Sequence, residues 1–188
     1  MPSFAETVCL PDSLLLLNGL PNLGPVSVRR LLERFGDDPR AIFRASRGEL
    51  GSVSGVGDKI INSILDEGHE DWLAKEKKKL ESRKIAFLSN ESFPPLLNEI
   101  YDPPVGLYMA GQIPSGPYLS IVGTRQPTLY GLCFARELAQ QLAQIGFCIV
   151  SGMARGIDTA AHEGALDAQG KTLAFLGSGI DVVYPPEN

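Results

Sequence analysis

Histidine is almost missing from this chain: His69 and His162 are the only two in 188 residues. A histidine-rich metal centre is therefore excluded, and any Ser/His/Asp triad would have to be built on His162. Cysteine is scarce too. Cys9, Cys133 and Cys148 are odd in number, widely spaced and without a C-x-x-C pair, which removes the usual signatures of metal binding and thiol redox chemistry and reads as buried thiols in a reducing compartment. Long apolar runs are absent: nothing approaches the ~20 residues of a membrane span, and Leu14 to Leu17 is too short for a signal-peptide core and lacks a basic start. A cytoplasmic protein without membrane contact, metal or cofactor is expected.

Positive charge is also in short supply. With 17 Lys+Arg against 22 Asp+Glu the formal net charge is -5, and neither half is basic, residues 1–117 holding 13 against 16 and residues 118–188 holding 4 against 6. The broad basic footprint that binds duplex DNA non-specifically is missing, so any nucleic-acid contact has to be local. What the chain does have is 44% hydrophobic composition and 20 glycines, enough for a packed core punctuated by tight loops.

Residues 1–70 read as short helices joined by glycine turns, with helical apolar spacing over 14–20, 26–35, 39–45 and 59–65 and no strand signal. Two turns resemble each other, Leu20-Pro-Asn-Leu-Gly24-Pro-Val-Ser and Leu50-Gly-Ser-Val-Ser-Gly55-Val-Gly57-Asp-Lys59. Gly55-Val-Gly57 before a helix resembles the helix-hairpin-helix motif, whose glycines let backbone amides approach a phosphate. The first copy has Gly24-Pro25 in that place, and proline removes a donor. Because residues 11–69 hold seven basic and eight acidic side chains, a packing or protein-contact role for Gly55 and Gly57 is favoured over a DNA clamp.

Residues 71–117 form a connecting segment: a charge-alternating helix from Trp72 to Lys84, then short strands at 85–88 and 106–109 between proline turns. From Tyr118 to Asn188 the grammar becomes strand, glycine loop, helix, repeated. Strand 119–122 leads to Gly123-Thr-Arg-Gln-Pro127 and a helix whose Phe134, Ala135, Leu138, Ala139, Leu142 and Ala143 line one face. Strand 147–150 leads to Ser151-Gly-Met-Ala-Arg-Gly156 and a helix ending near Gly170. Strand 172–176 ends at Gly177-Ser-Gly179. Continuous apolar strands alternating with helices predict a parallel sheet of Rossmann-like type with helices on both faces.

In such a sheet ligands bind beyond the carboxyl ends of the strands, where all three glycine loops fall. Glycine permits close backbone approach to an anion and helix N-termini supply free amides, so phosphate is the natural ligand. The spacing is neither G-x-G-x-x-G nor G-x-x-x-x-G-K-[ST], which disfavours a routine NAD or ATP site. Arg125 and Arg155 lie inside two of these loops. Arg125, with no acid adjacent, reads as a ligand contact; Arg155 reads equally as a ligand contact or an ion-pair partner of Asp158. Thr124 and Ser151 offer hydroxyls to a phosphate or to their own turns. Asp158 reads as an N-cap, and His162, one turn on, as a held rather than catalytic imidazole.

Ser120-Ile-Val-Gly-Thr-Arg125, Val150-Ser-Gly-Met-Ala-Arg-Gly-Ile-Asp-Thr-Ala-Ala-His162, Leu176-Gly-Ser-Gly-Ile-Asp181 and Tyr184-Pro-Pro-Glu-Asn188 resemble the successive motifs of the DNA processing protein A (DprA, also called Smf) family. The segment from Phe93 to Gly111 resembles what precedes them there, and the helical start resembles the family's SAM-like N-terminal domain. The resemblance implies an extended Rossmann fold that binds single-stranded DNA without base-specific readout, protects incoming DNA during natural transformation and loads RecA, without catalysis. It implies Arg125 as the principal DNA contact, with Gly123, Thr124, Ser151, Gly152, Arg155 and Gly156 shaping the pocket beside Gly177 and Gly179 of the third loop. The family continues past the tyrosine-proline motif with more sheet, a later basic residue, a homodimer surface and often a winged helix. The chain is therefore expected to be partial and to expose a strand edge. Two rival readings are a Rossmann-like nucleotide phosphoribohydrolase, whose P-G-G-x-G-T signature and nearby glutamate are absent, and a DNA repair or recombination module working through the helix-hairpin-helix repeat.

Overall fold

In the computed structural model residues 7–182 and 184–186 are described. The chain folds as two units, Met1–Ala110 and Gly111–Asn188. The segment 71–110 belongs to the first of them, because Leu73 and Leu80 share a core with the preceding helices.

The first unit is built on α1 (Leu10–Gly19), whose Leu15, Leu16 and Leu17 are buried. Around it lie α2 (Pro25–Arg34), α3 (Pro39–Arg44), α4 (Arg47–Gly51), α5 (Asp58–Ile64) and α6 (His69–Arg83). Prolines start α2 and α3, where a missing amide does no harm and the fixed φ is already helical. Helix α4 falls between the helical stretch 39–45 and the glycine turn that starts at Leu50, and overlaps the start of that turn. Its signal is the capping box, Ser46 accepting from the Glu49 amide while the Glu49 carboxylate accepts from Ser46 N at 2.8 Å. Strands β1 (Ile85–Ser89) and β2 (Gly106–Ala110) pair antiparallel, Phe87 opposite Tyr108.

The second glycine turn lies against the first repeat. Gly55 has φ +82°, Val53 and Val56 are buried, and Arg30 on α2 donates to the Ser54 carbonyl at 3.0 Å, so one repeat is clasped to the other.

In the second unit β3 (Tyr118–Ser120), β4 (Cys148–Ser151) and β5 (Lys171–Ala174) form a parallel sheet in the order β3-β4-β5, connected by α8 (Leu129–Gln144) and α9 (Ile157–Asp167); α7 (Pro95–Asn98) belongs to the first unit. This is the expected Rossmann-like grammar. The helices, however, lie against each other on one face, over Leu119, Ile121 and Ile149, and not on both. Both crossovers step in the same direction across the sheet, and two right-handed crossovers in one direction fall on one side. On the other face, within this unit and among the described residues, Val122 is 71% exposed and Phe175 43%.

Where α8 meets α9 the contact is made by small residues: Ala135, Ala139 and Ala143 from one, Ala161, Gly164 and Ala165 from the other. A Cβ on Gly164 would lie 2.1 Å from the Arg136 carbonyl oxygen. At the surface, Arg136 donates to Asp167 at 2.6 Å and to Glu163 at 2.9 Å, closing the seam and holding the Asp167 carboxyl below its ordinary range. Phe134 falls off the buried line and is 53% exposed, and Cys133, facing away from the seam, is exposed, as is Cys9 just before α1. Only Cys148 is the buried thiol expected of all three, and burial pushes its pKa up.

Candidate nucleic-acid interface

The carboxyl ends of β3, β4 and β5 open into three loops, 121–128, 152–156 and 175–182, on one edge of the sheet. The first and second are docked backbone to backbone. Ile157 N donates to the Thr124 carbonyl at 3.3 Å, and Gly156 sits so close that an added Cβ would lie 2.4 Å from that oxygen and 2.9 Å from Pro127 Cδ. Gly156 also has φ +87° and ψ -123°, a region open to glycine. Gly123 lies under Ile157, whose Cγ1 would be 2.7 Å from its added Cβ. The second and third loops are joined at their base by Phe175 N, donating to the Ser151 carbonyl at 2.9 Å. Gly177 has open space around it, and Gly179 sits in a turn closed by Val182 N donating to its carbonyl at 2.8 Å. Of the tyrosine-proline motif, Glu187 and Asn188 lie outside the described residues.

The candidate polar groups divide sharply by what they already hold. Ser151 is 3% exposed and its hydroxyl donates to the Ile121 carbonyl at 2.6 Å, tying β4 to the start of the first loop. Thr124 Oγ1 accepts from Gln126 N at 3.1 Å, a turn satisfying its own backbone. Asp158 does not cap α9; Gly156 stands at the N-cap and Asp158 lies within the first turn. Its buried carboxylate reaches back to accept from Gly152 N at 3.2 Å and Ala154 N at 3.4 Å. The second loop's amides are thus engaged by an anion of the protein itself. Met153 between them takes φ +56°, a left-handed turn that this double acceptor stabilises.

The first loop is different. The amides of Gly123, Thr124 and Arg125 donate to no acceptor among the described residues, and the exposed Arg125 guanidinium makes no ion pair there. Anion-binding capacity is concentrated on 123–125, with the second loop supporting it from below. Arg155 is exposed on the second loop.

His162 is 8% exposed and stands on α9. Thr172 Oγ1 donates its only proton to the Ile149 carbonyl at 2.8 Å, so His162 Nδ1, 2.6 Å from the same oxygen, must be the donor in that contact. The neutral tautomer is fixed with hydrogen on Nδ1. Nε2 keeps a buried lone pair with no partner among the described residues. Burial holds this histidine below its ordinary pKa, a shift partly countered by Asp158. Since the folded state then takes up its proton less readily than the unfolded chain, the contribution to stability is complete above the unfolded value of ~6.5 and is lost as the pH falls below it. Urea midpoints should accordingly drop between pH 7.5 and 5.5 more steeply for the natural sequence than for His162→Asn. Parallel curves would refute the assignment.

The sequence model of the DNA recombination-mediator protein A family matches residues 84–188, more than half of the chain. The chain belongs to this family. Similarity to the recombination-mediator proteins extends further toward the N-terminus. Protein Smf of Synechocystis is 37% identical over 174 residues, covering 88% of this chain and 44% of its own length. DNA processing protein DprA of Streptococcus pneumoniae is 40% identical over 147 residues, 75% of this chain and 50% of its own. The X-ray structure of DprA from Streptococcus pneumoniae superposes with a TM-score of 0.67 at 28% identity, covering 96% of this chain and 62% of that one. The chain thus spans about half the length of these curated relatives. No group of residues suited to hold a metal ion occurs among the described residues, nor any helix long and apolar enough to cross a membrane.

Proposed function

We propose that the loop edge of the second unit holds the sugar–phosphate backbone of single-stranded DNA, without reading bases by hydrogen bonds, in a cytoplasmic protein that shields incoming DNA and hands it to RecA. The observation that carries this is the first loop: Arg125 exposed and unpaired among the described residues, beside three amides with no acceptor. Family membership supports DNA as the polyanion, since the relatives' names describe DNA processing. With a net charge of -5 the protein offers little long-range attraction, so one well-placed guanidinium matters more than it would on a basic surface.

Removing a charge-assisted contact of this kind costs about 1.5–3 kcal/mol. Arg125→Ala should therefore weaken binding of a fluorescent dT oligomer roughly tenfold or more in anisotropy titrations and lower the salt dependence by about one counterion. Unchanged affinity would reject the site. Gly55→Ala serves as the contrast, since the clasped turn has a packing role, and should leave affinity near that of the natural sequence once folding is verified. Loss of binding there instead would favour the helix-hairpin-helix reading. The reading as a non-enzyme rests on His162, which is buried and donates through Nδ1 to Thr172, a hydroxyl whose own proton goes to the Ile149 carbonyl, so the imidazole is not placed to take a proton from it. Release of free adenine from AMP would overturn it. Homodimerisation belongs to the same proposal.

A further inference from the structure

Beside the first loop stands a feature that phosphate binding leaves unused. Tyr130 and Phe134, one turn apart on α8, are 77% and 53% exposed. Their rings lie nearly parallel, 19° apart with centroids separated by 6.1 Å. Leu129 beside them is 81% exposed. The aromatic stripe is short: one turn further on, Leu138 turns partly into the unit's core, and beside it Glu137 is an exposed acid that accepts a hydrogen bond from Gln141 at 3.2 Å. The two exposed rings thus lie in the first two turns of α8, the end that emerges from the Arg125 loop.

Its position is fixed by backbone contacts. A Cβ on Gly156 would lie 3.1 Å from the Arg125 carbonyl carbon and 2.9 Å from Pro127 Cδ, while a Cβ on Gly131 would lie 3.7 Å from Pro127 Cβ and 3.8 Å from Ile157 Cδ1. Tyr130 therefore rises from the same junction that carries Arg125, five residues away and so within about 17 Å at full extension.

We infer that Tyr130 and Phe134 form a stacking platform for nucleobases of the strand whose phosphates Arg125 holds, which rests on the reading of that loop as a phosphate site. Every base has a π-face, so a platform of this kind adds affinity without sequence preference, and it supplies what an acidic chain lacks in bulk electrostatic attraction. The pairing of the Arg125 guanidinium with two exposed parallel rings fits a ligand that alternates phosphate and aromatic base. A protein partner would more naturally meet Leu129, Tyr130 and Phe134 through an apolar surface without an adjoining anion site.

The test compares two strands of equal length on this chain, a dT oligomer and one in which the bases are replaced by abasic residues. Stacking predicts that the natural sequence binds dT about tenfold or more tightly than the abasic strand, taking the usual strength of one base on one ring. Tyr130→Ala with Phe134→Ala should remove most of that preference, and Tyr130→Phe should keep it. Both positions are exposed, and circular dichroism verifies that the variants fold. A 2-aminopurine placed in the strand should be quenched on binding by the natural sequence and not by the double variant. If Arg125→Ala weakens both strands equally while dT and abasic strands bind the natural sequence alike, the platform is refuted and the phosphate reading stands. If Arg125→Ala changes neither, the phosphate reading fails and this proposal falls with it. A double variant that keeps the full dT preference also overturns the platform, as does one whose only defect is in self-association.

Discussion

Gly164→Ala is expected to destabilise residues 111–188 by about 2–3 kcal/mol, and Gly164→Val by more. Ordinarily the exchange goes the other way, since glycine inside a helix is worse than alanine by roughly 1 kcal/mol. Here the added methyl would sit 2.1 Å from the Arg136 carbonyl oxygen, a backbone atom of the neighbouring helix, and 3.0 Å from the Ala139 Cβ. A flexible side chain could swing aside, but a helical carbonyl cannot, so α8 and α9 must separate and lose contact along the whole alanine seam. Urea unfolding read by circular dichroism checks the result, with Gly48→Ala as the contrast. Gly48 lies in α4 with open space around its added Cβ, and its exchange should be neutral or mildly stabilising. Equal midpoints for the two variants would show that the helix crossing has slack that its geometry denies.

The second large effect belongs to Gly156. Alanine there meets two separate obstacles: a backbone conformation at φ +87° that L-residues rarely adopt, and a Cβ driven to 2.4 Å from the Thr124 carbonyl. Together these are expected to cost about 3–5 kcal/mol, summing backbone strain of 1–3 kcal/mol with an overpacking term of similar size. The first loop has to lift off the second. Amide exchange at Ile157, whose hydrogen goes to that carbonyl, should accelerate, and affinity for a dT oligomer should fall at least as far as in Arg125→Ala, because Arg125 loses its footing along with the amides of Gly123, Thr124 and Arg125. Retained protection at Ile157 would sink this account, and so would retained DNA affinity.

How much of this was legible in the residues differs by range. The strand, loop, helix alternation after Tyr118 could be read because each element announces itself within a few residues: an apolar run, a glycine, then apolar residues three and four apart. The grouping of three loops at one edge follows from that alternation alone. Which face each helix covers could not be read, since it depends on strand order, and apolar strands look the same whichever partner covers them. Phe134 and Cys133 were misplaced by residue type. The helix buries the line of Ala135, Ala139 and Ala143 with Leu138 and Leu142 partly packed beside it, and helical phase puts Phe134 and Cys133 outside. The partners of Ser151 and Asp158 are illegible in the sequence for a third reason. These, the Ile121 carbonyl thirty residues away and the amides of Gly152 and Ala154, exist only once the loops are docked. Helix α4 alone was there to be seen, in Ser46 and Glu49 three residues apart.

The alanine and glycine seam between α8 and α9 has a consequence for how the two loops keep their spacing. Side chains of this kind have no rotamers to exchange, so the seam gives up almost no side-chain entropy on folding and retains almost no play afterwards. Each helix begins at one of the two docked loops, so the seam acts on them as a fixed-gap calliper. On the proposed reading a bound strand has to fit the width so set, and that width comes from a contact made of methyl groups and a carbonyl.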